Sequence, residues 1–250
     1  MGDVRNIKAE DLPKIDLLIG GSPCQDFSNA NRNKDGLEGE KSGLFYQYLR
    51  LLHELKPRYF LLENVAMKKE ERKRISDMLG VEPILINSNL VSAQNRKRLY
   101  WTNIPNVTLP EDKHIMLKDI LEEGYSPLSK GRCLLVSDSR PLRTPVKMYH
   151  RSHQLSFNTV VFKDEQHYLD CCDYFHKHFW GLPASQITTD SKVFDGIRYL
   201  TKREKERMQT MPEGYCDTLT WNECADVLGD GWTVDVIAHI FSFLKKDLDK

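Results

Sequence analysis

The chain has 250 residues, 40% of them apolar, and its 36 Lys and Arg balance its 36 Asp and Glu for a formal net charge of zero. That length and apolar share suffice for a sizeable core in one large or two unequal domains, which excludes a disordered or fibrous chain. No run approaches the roughly 18 apolar residues of a membrane span, and the amino terminus lacks a charged-then-apolar signal pattern, so no membrane association is expected.

In chain order, Ile15-Asp16-Leu17-Leu18-Ile19 is a short apolar run ended by two glycines. It reads as a buried parallel strand whose carboxyl end opens into a site, with Cys24 of Pro23-Cys24-Gln25 just beyond it. A buried cysteine with no reactivity is the plainer alternative for that residue alone. Residues 29–43 are polar, with Gly36, Gly39 and Gly43, and are expected to form a mobile loop after the thiol. Ser42 is placed to cap a helix whose apolar positions Leu44, Phe45, Tyr48, Leu51, Leu52 and Leu55 follow helical spacing and which Pro57 ends. A second apolar strand, Arg58 to Val65, ends in Glu63 and Asn64, and a third unit carries Gln94-Asn95-Arg96-Lys97-Arg98. Strands of a doubly wound, mostly parallel α/β sheet deliver such ends to one edge, where thiol, carboxylate and guanidinium can converge.

From 106 to 195 the periodicity weakens, and a smaller irregular, partly β domain is expected, followed by a segment 196–250 that returns to the first domain (1–105). Lys130, Arg132, Arg140, Arg143, Lys147, Arg151 and Lys163 face one acid, Asp138, in the middle segment, with Tyr149, His150, His153 and Phe157 interleaved. Such a local excess supplies phosphate contacts in a neutral protein; a solvated polar face is the alternative. Thr201-x-x-Glu204 and Thr220-x-x-Glu223 have the pattern of capping boxes that start helices. The last helix presents Val236, Ile237, Ile240, Phe241 and Leu244 to the core. The six cysteines show no Cys-x-x-Cys spacing, so neither a disulfide framework nor a zinc finger is indicated, and free thiols suit a reducing compartment. Cys172 and His176 share a helix face, but without a second ligand pair they read as core and surface, and no metal is expected.

Pro-Cys-Gln, Glu-Asn-Val and Gln-x-Arg-x-Arg, in this order, resemble the fourth, sixth and eighth motifs of the DNA (cytosine-5) methyltransferases. Residues 198–212 resemble the ninth motif, 229–237 the tenth and Gly2-Asp3-Val4 the third. Pro-Cys-Gln and Gln-Asn-Arg-Lys-Arg read like bacterial or phage enzymes, while the Trp232 form of the last motif resembles the eukaryotic de novo type. The resemblance implies a class I, Rossmann-like methyltransferase fold with a target-recognition domain at 106–195. It also implies methyl transfer from S-adenosyl-L-methionine to a flipped cytosine of double-stranded DNA. Cys24, Glu63 and Arg96 would be catalytic, and Asp3, Val4, Pro23, Trp232 and Val234 would contact the cofactor. Gln25, Ser28, Asn64, Gln94, Arg98, Arg143 and Arg151 would contact DNA.

The family's Phe-x-Gly-x-Gly turn and ribose-binding acid are not found in the 250 residues, from which a second polypeptide carrying those motifs is expected. A non-catalytic DNA-binding or stimulatory subunit is the alternative. A tRNA cytosine methyltransferase is disfavoured because the Cys-Phe-Thr signature of that group is absent. The resemblance implies a cytoplasmic location for a bacterial or phage protein, and a nuclear one for a eukaryotic protein.

Overall fold

The computed structural model describes residues 2–21, 44–136, 140, 142, 144–187 and 191–248. The expected mobile loop, the Ser42 cap, and Pro23, Cys24, Gln25, Ser28 and Arg143 lie outside them. The chain divides into two compact units, one of residues 1–87, 97–109 and 239–250 and one of residues 88–96 and 110–238. The expected boundary at 195 falls inside the second unit.

The first unit is built on a four-stranded sheet of β1 (Leu17–Gly21), β2 (Tyr59–Val65), β3 (Ile84–Asn87) and β4 (Lys97–Thr102), in the order β1-β2-β4-β3. β1 and β2 are parallel, while β4 runs antiparallel to both β2 and β3. Three strands therefore share one direction and β4 opposes them, giving a mixed α/β sheet. β2 reads Tyr-Phe-Leu-Leu-Glu-Asn-Val and is buried through its first six residues, as a strand with neighbours on both sides should be.

Helix α1 (Leu44–Leu55) packs Phe45 and Tyr48, with Leu49 and Leu52, into the core that holds Phe60, Leu62 and Leu99 of the sheet, and Leu51 is buried as well. It stops before Pro57, with Lys56 at φ 46°. Gly20 makes that packing possible, because a Cβ there would stand 2.8 Å from the Tyr48 ring. Helix α2 (Lys69–Leu79) adds Ile75 and Leu79 to the same core and ends on Gly80 at φ 71°, a left-handed position suited to glycine. The buried Trp101 indole donates to Ser76 Oγ at 3.0 Å, so the largest core side chain keeps its polar atom paired.

The second unit holds α3 (Pro145–Tyr149), which runs into a π-turn at 150–154, then β5 (Val160–Val161), α4 (Glu165–Phe179), β6 (Arg198–Tyr199), α5 (Lys202–Met208) and α6 (Trp221–Asp230). β5 and β6 pair antiparallel, and β5 lies within the segment expected to be partly β. The length of the fifteen-residue α4 is not anticipated from sequence, where only the spacing of Cys172 and His176 points to a helix face. Asp164 caps it by accepting from the His167 amide at 2.8 Å, and Cys171, Phe175 and Phe179 are its buried stripe. Mixed with His, Cys and Asp, that stripe is too weak a pattern to read without the fold. Both capping boxes form: Thr201 Oγ1 accepts from the Glu204 amide and Thr220 Oγ1 from the Glu223 amide.

The last helix, α7 (Val234–Leu248), begins in the second unit and ends in the first. Contrary to the expectation that no run is span-like, residues 221–244 are long and apolar enough to meet a membrane-span criterion. Gly231, Trp232 and Thr233 divide them into α6 and α7, and Cys224, Leu228, Val236 and Ile240 are fully buried, as in core helices of a globular unit.

Candidate active site

The antiparallel direction of β4 sets the local geometry. In the β2–β4 register Glu63 stands opposite Tyr100 and Val65 opposite Arg98, so Glu63 and Arg98 share one face and meet on the diagonal. Arg98 Nε lies 2.8 Å from Glu63 Oε1, and both side chains are largely buried, at 13% and 10% exposure. A carboxylate and a guanidinium thus meet at the start of an antiparallel strand, while Cys24, the third group of the expected set, lies outside the described residues. Asn64 takes the opposite face, 1% exposed, and its Oδ1 accepts from the Val65 amide at 2.8 Å. That bond stiffens the backbone beside Glu63, and so deep a side chain is poorly placed for the DNA contact expected of it.

Arg96 is placed differently from its expectation as the guanidinium at the reacting base. It is 4% exposed and belongs to the second unit. Its Nη1 donates to Leu134 O at 3.0 Å and Cys133 Sγ at 3.2 Å, and its Nη2 donates to Gly231 O at 2.9 Å and Gly229 O at 3.1 Å. Four of the five guanidinium N–H groups are thereby committed to protein acceptors. The strand starts at Lys97, so Arg96 sits in the turn before it. Alternation alone, which would put Arg96 and Arg98 side by side, does not reach that far.

Gln94 likewise turns inward rather than to a groove. It is fully buried, donating to Met208 O and Gln209 Oε1 and accepting from the Leu134 amide. Gln209 extends the network by donating to Leu228 O and Gly231 O and accepting from Thr233 Oγ1, which pairs with Ser88 Oγ at 2.8 Å. The sequence signal that could have revealed this is the pairing of two glutamines with Gly229-Asp230-Gly231, since buried amides must find acceptors.

For the donor, Trp232 and Val234 are half-buried on either side of the buried Thr233. Asp3 is engaged locally: it caps the turn Val4–Asn6 by accepting from the Arg5 amide at 2.9 Å and pairs with the Arg5 side chain. Those Arg5 contacts, side chain first, hold its carboxyl at about 2. Arg151 stands in the π-turn with its guanidinium 5.6 Å from the centre of the exposed Phe157 ring. Among the described residues no three His, Cys, Asp or Glu side chains are grouped to hold a metal ion, and burial pushes the Cys171 thiol up to about 12.

The mixed α/β sheet is consistent with a class I methyltransferase fold, which the likeness to solved methyltransferase structures supports. Residues 1–246 match the family described as C-5 cytosine-specific DNA methylase, and the chain belongs to it. It is 34% identical over 145 residues to the orphan methyltransferase M.Rho11sI of Bacillus phage rho11s, covering 52% of this chain and 28% of that one. It is 28% identical over 239 residues to the type II methyltransferase M.Bsp6I of Bacillus sp. (strain RFL6), covering 85% of this chain and 73% of that one. The chain spans 28% to 40% of the length of the phage and Fusobacterium nucleatum relatives that it matches. Its fold is similar to that of the Entamoeba histolytica methyltransferase EhMeth, with a TM-score of 0.69 over 100% of this chain and 83% of that one, at 16% identity.

Proposed function

We propose that this chain carries the catalytic motifs of a DNA (cytosine-5)-methyltransferase that acts through a covalent cysteine adduct on a flipped cytosine of double-stranded DNA. The observation that carries the reading is the Glu63–Arg98 pair at the end of β2, together with membership of the cytosine-specific family.

Carbon 5 of cytosine is too poor a nucleophile to take a methyl group unaided. S-adenosyl-L-methionine supplies an electrophilic methyl on its sulfonium. Cys24, as thiolate, adds to carbon 6, and the electron pair of the 5,6 double bond moves to carbon 5 for methylation. A free thiol ionises near a pKa of about 8.5, so backbone amides after Gly21 or a nearby cation must favour the thiolate. Glu63 shares a proton with ring nitrogen 3, taking up the charge that addition pushes onto the ring. Arg98 holds the Glu63 carboxyl in orientation and is the better candidate than Arg96 for the base carbonyl, because its planar fork stands beside the acid. The methyl transfer would release S-adenosylhomocysteine; a water would then take the carbon 5 proton while the Cys24 thiolate leaves carbon 6 and the proton on nitrogen 3 returns to Glu63, restoring the aromatic ring. A stacked base cannot reach these groups, so the cytosine is extruded from the duplex.

Asp3, Val4, Pro23, Trp232 and Val234 are the proposed contacts to the donor, Asp3 and Val4 by their likeness to the turn that meets the adenine. Arg143 and Arg151 would serve DNA phosphates or groove edges from the recognition segment. A second polypeptide is supported by β1, which among the described residues pairs on one side only and exposes Ile19 at 47%. Such an edge can take a further strand. The bacterial and phage relatives support a cytoplasmic location.

The test is methyl transfer to unmodified duplex DNA by the full chain, with 5-methylcytosine read by mass spectrometry. A partner requirement predicts barely detectable product from the chain alone and strong product when a polypeptide bearing the glycine-rich donor motif is added. DNA binding with no 5-methylcytosine in either arm would favour the stimulatory-subunit reading.

A further inference from the structure

We infer that Arg96 is a positioning residue that fixes the turn at 229–233, and with it the side chain of Trp232. The inference rests on the proposed donor contact of Trp232. Its geometry stands independently.

Gly229 and Gly231 close α6, where four carbonyls have no helical partner and the helix dipole favours a cation. Arg96 supplies that cation, one guanidinium edge serving Gly229 O and Gly231 O and the other serving Leu134 O and Cys133 Sγ. The fork thus bridges two chain segments as well as capping a helix. Gly229 makes the bridge possible. A Cβ at that position would stand 2.5 Å from the Val136 amide nitrogen and 2.6 Å from the Leu135 carbonyl carbon, so any side chain would push the 134–136 segment off α6. Gly231 is a glycine for another reason: a Cβ there would stand 2.9 Å from Val227 O of the helix itself.

The turn is held from its other side as well. Gly231 O also accepts from Gln209 Nε2 at 3.1 Å, the Val234 amide donates to Gln209 O, and Thr233 Oγ1 bonds both Gln209 Oε1 and Ser88 Oγ. Between Gly231 and Thr233, each fixed in this way, Trp232 has little backbone freedom. A lysine at 96 would keep the charge but could not serve acceptors in both segments, because an ammonium lacks the planar fork.

The test compares the full-length wild-type chain with Arg96→Lys and Arg96→Met. Amide exchange across 229–234 should speed up about tenfold or more in both variants, the expected effect of losing charge-assisted hydrogen bonds. Exchange in α4 should stay at the wild-type rate. S-adenosylhomocysteine, the demethylated donor, should bind Arg96→Lys about tenfold more weakly than wild type, with the DNA dissociation constant unchanged. Wild-type exchange across 229–234 in Arg96→Met, or full recovery of exchange and affinity in Arg96→Lys, would overturn the inference. Loss of α4 protection in Arg96→Lys would do so too, by showing that the role is not confined to the turn. Donor affinities are compared with a polypeptide bearing the glycine-rich donor motif present; a wild-type chain that binds no S-adenosylhomocysteine even then would refute the donor contact, while the exchange result would still decide the positioning role.

Discussion

Arg98 Nε stands 2.8 Å from Glu63 Oε1, across a diagonal of the β2–β4 ladder and in a largely buried setting. The two arginines of Gln-Asn-Arg-Lys-Arg therefore do different work, one at the acid and one at a helix end. Arg98→Ala should lower the single-turnover rate of methyl transfer by about 10²-fold or more, the usual contribution of a positioned acid. Arg96→Lys should instead act mainly through donor affinity. Rapid-quench kinetics at saturating and limiting donor separate the two.

Glu204 is fully buried and pairs with both guanidinium nitrogens of Arg198, at 2.7 and 2.8 Å, while accepting from the Glu122 amide. Removing one partner of a buried pair strands the other. Glu204→Gln is expected to destabilise the second unit by about 3 kcal/mol, read as a lower urea midpoint.

Acid lability should follow from two groups in the same unit. Burial first, then the nearby Arg132 charge, hold His153 at about 4 against an ordinary 6.5, so the folded chain keeps it neutral. The unfolded chain binds its proton first, so stability is full above pH 6.5 and falls as the pH drops towards 4. Burial would raise Glu204, but Arg198 and the Glu122 and Thr201 amides outweigh it and hold its carboxyl below the usual range. Its contribution is lost as the pH falls through that lowered value. His153→Phe, which keeps a ring to stack on Tyr149 at 4.7 Å, should flatten the profile between pH 6.5 and 4. Thermal unfolding across pH gives the answer.

Gly20→Ala should cost about 1–3 kcal/mol, because its Cβ would meet the Tyr48 ring at 2.8 Å. Paired with Tyr48→Leu the loss should be less than additive, a coupling that a double-mutant cycle on unfolding free energies measures.

Much of this was legible in the sequence for a physical reason. Strong apolar runs with clear ends, such as Tyr59–Val65, and side-chain caps such as Thr201 and Thr220 are local signals that tertiary contacts only reinforce. The direction of β4 was not legible, because an apolar strand carries no mark of which way its neighbour runs. That one unknown hid the different surroundings of Arg96 and Arg98, which turn on where the strand begins. Gln94 was hidden by the same limit: a polar residue beside two arginines looks solvated until Gln209 and Leu134, far along the chain, close around it. The length of α4 was missed because Phe175 and Phe179 are spaced for burial among histidines and acids that blur the pattern.

The covalent step at Cys24 is the centre of the proposed function, and trapping on duplex DNA containing 5-fluorocytosine tests it most directly. With donor and any required partner present, fluorine at carbon 5 cannot leave as a proton does, so the chain should accumulate as a stable DNA adduct. Peptide mapping should place that adduct on Cys24, and Cys24→Ser should form none. An adduct mapped to another cysteine, or methylated DNA produced at the wild-type rate by Cys24→Ser, would contradict the account.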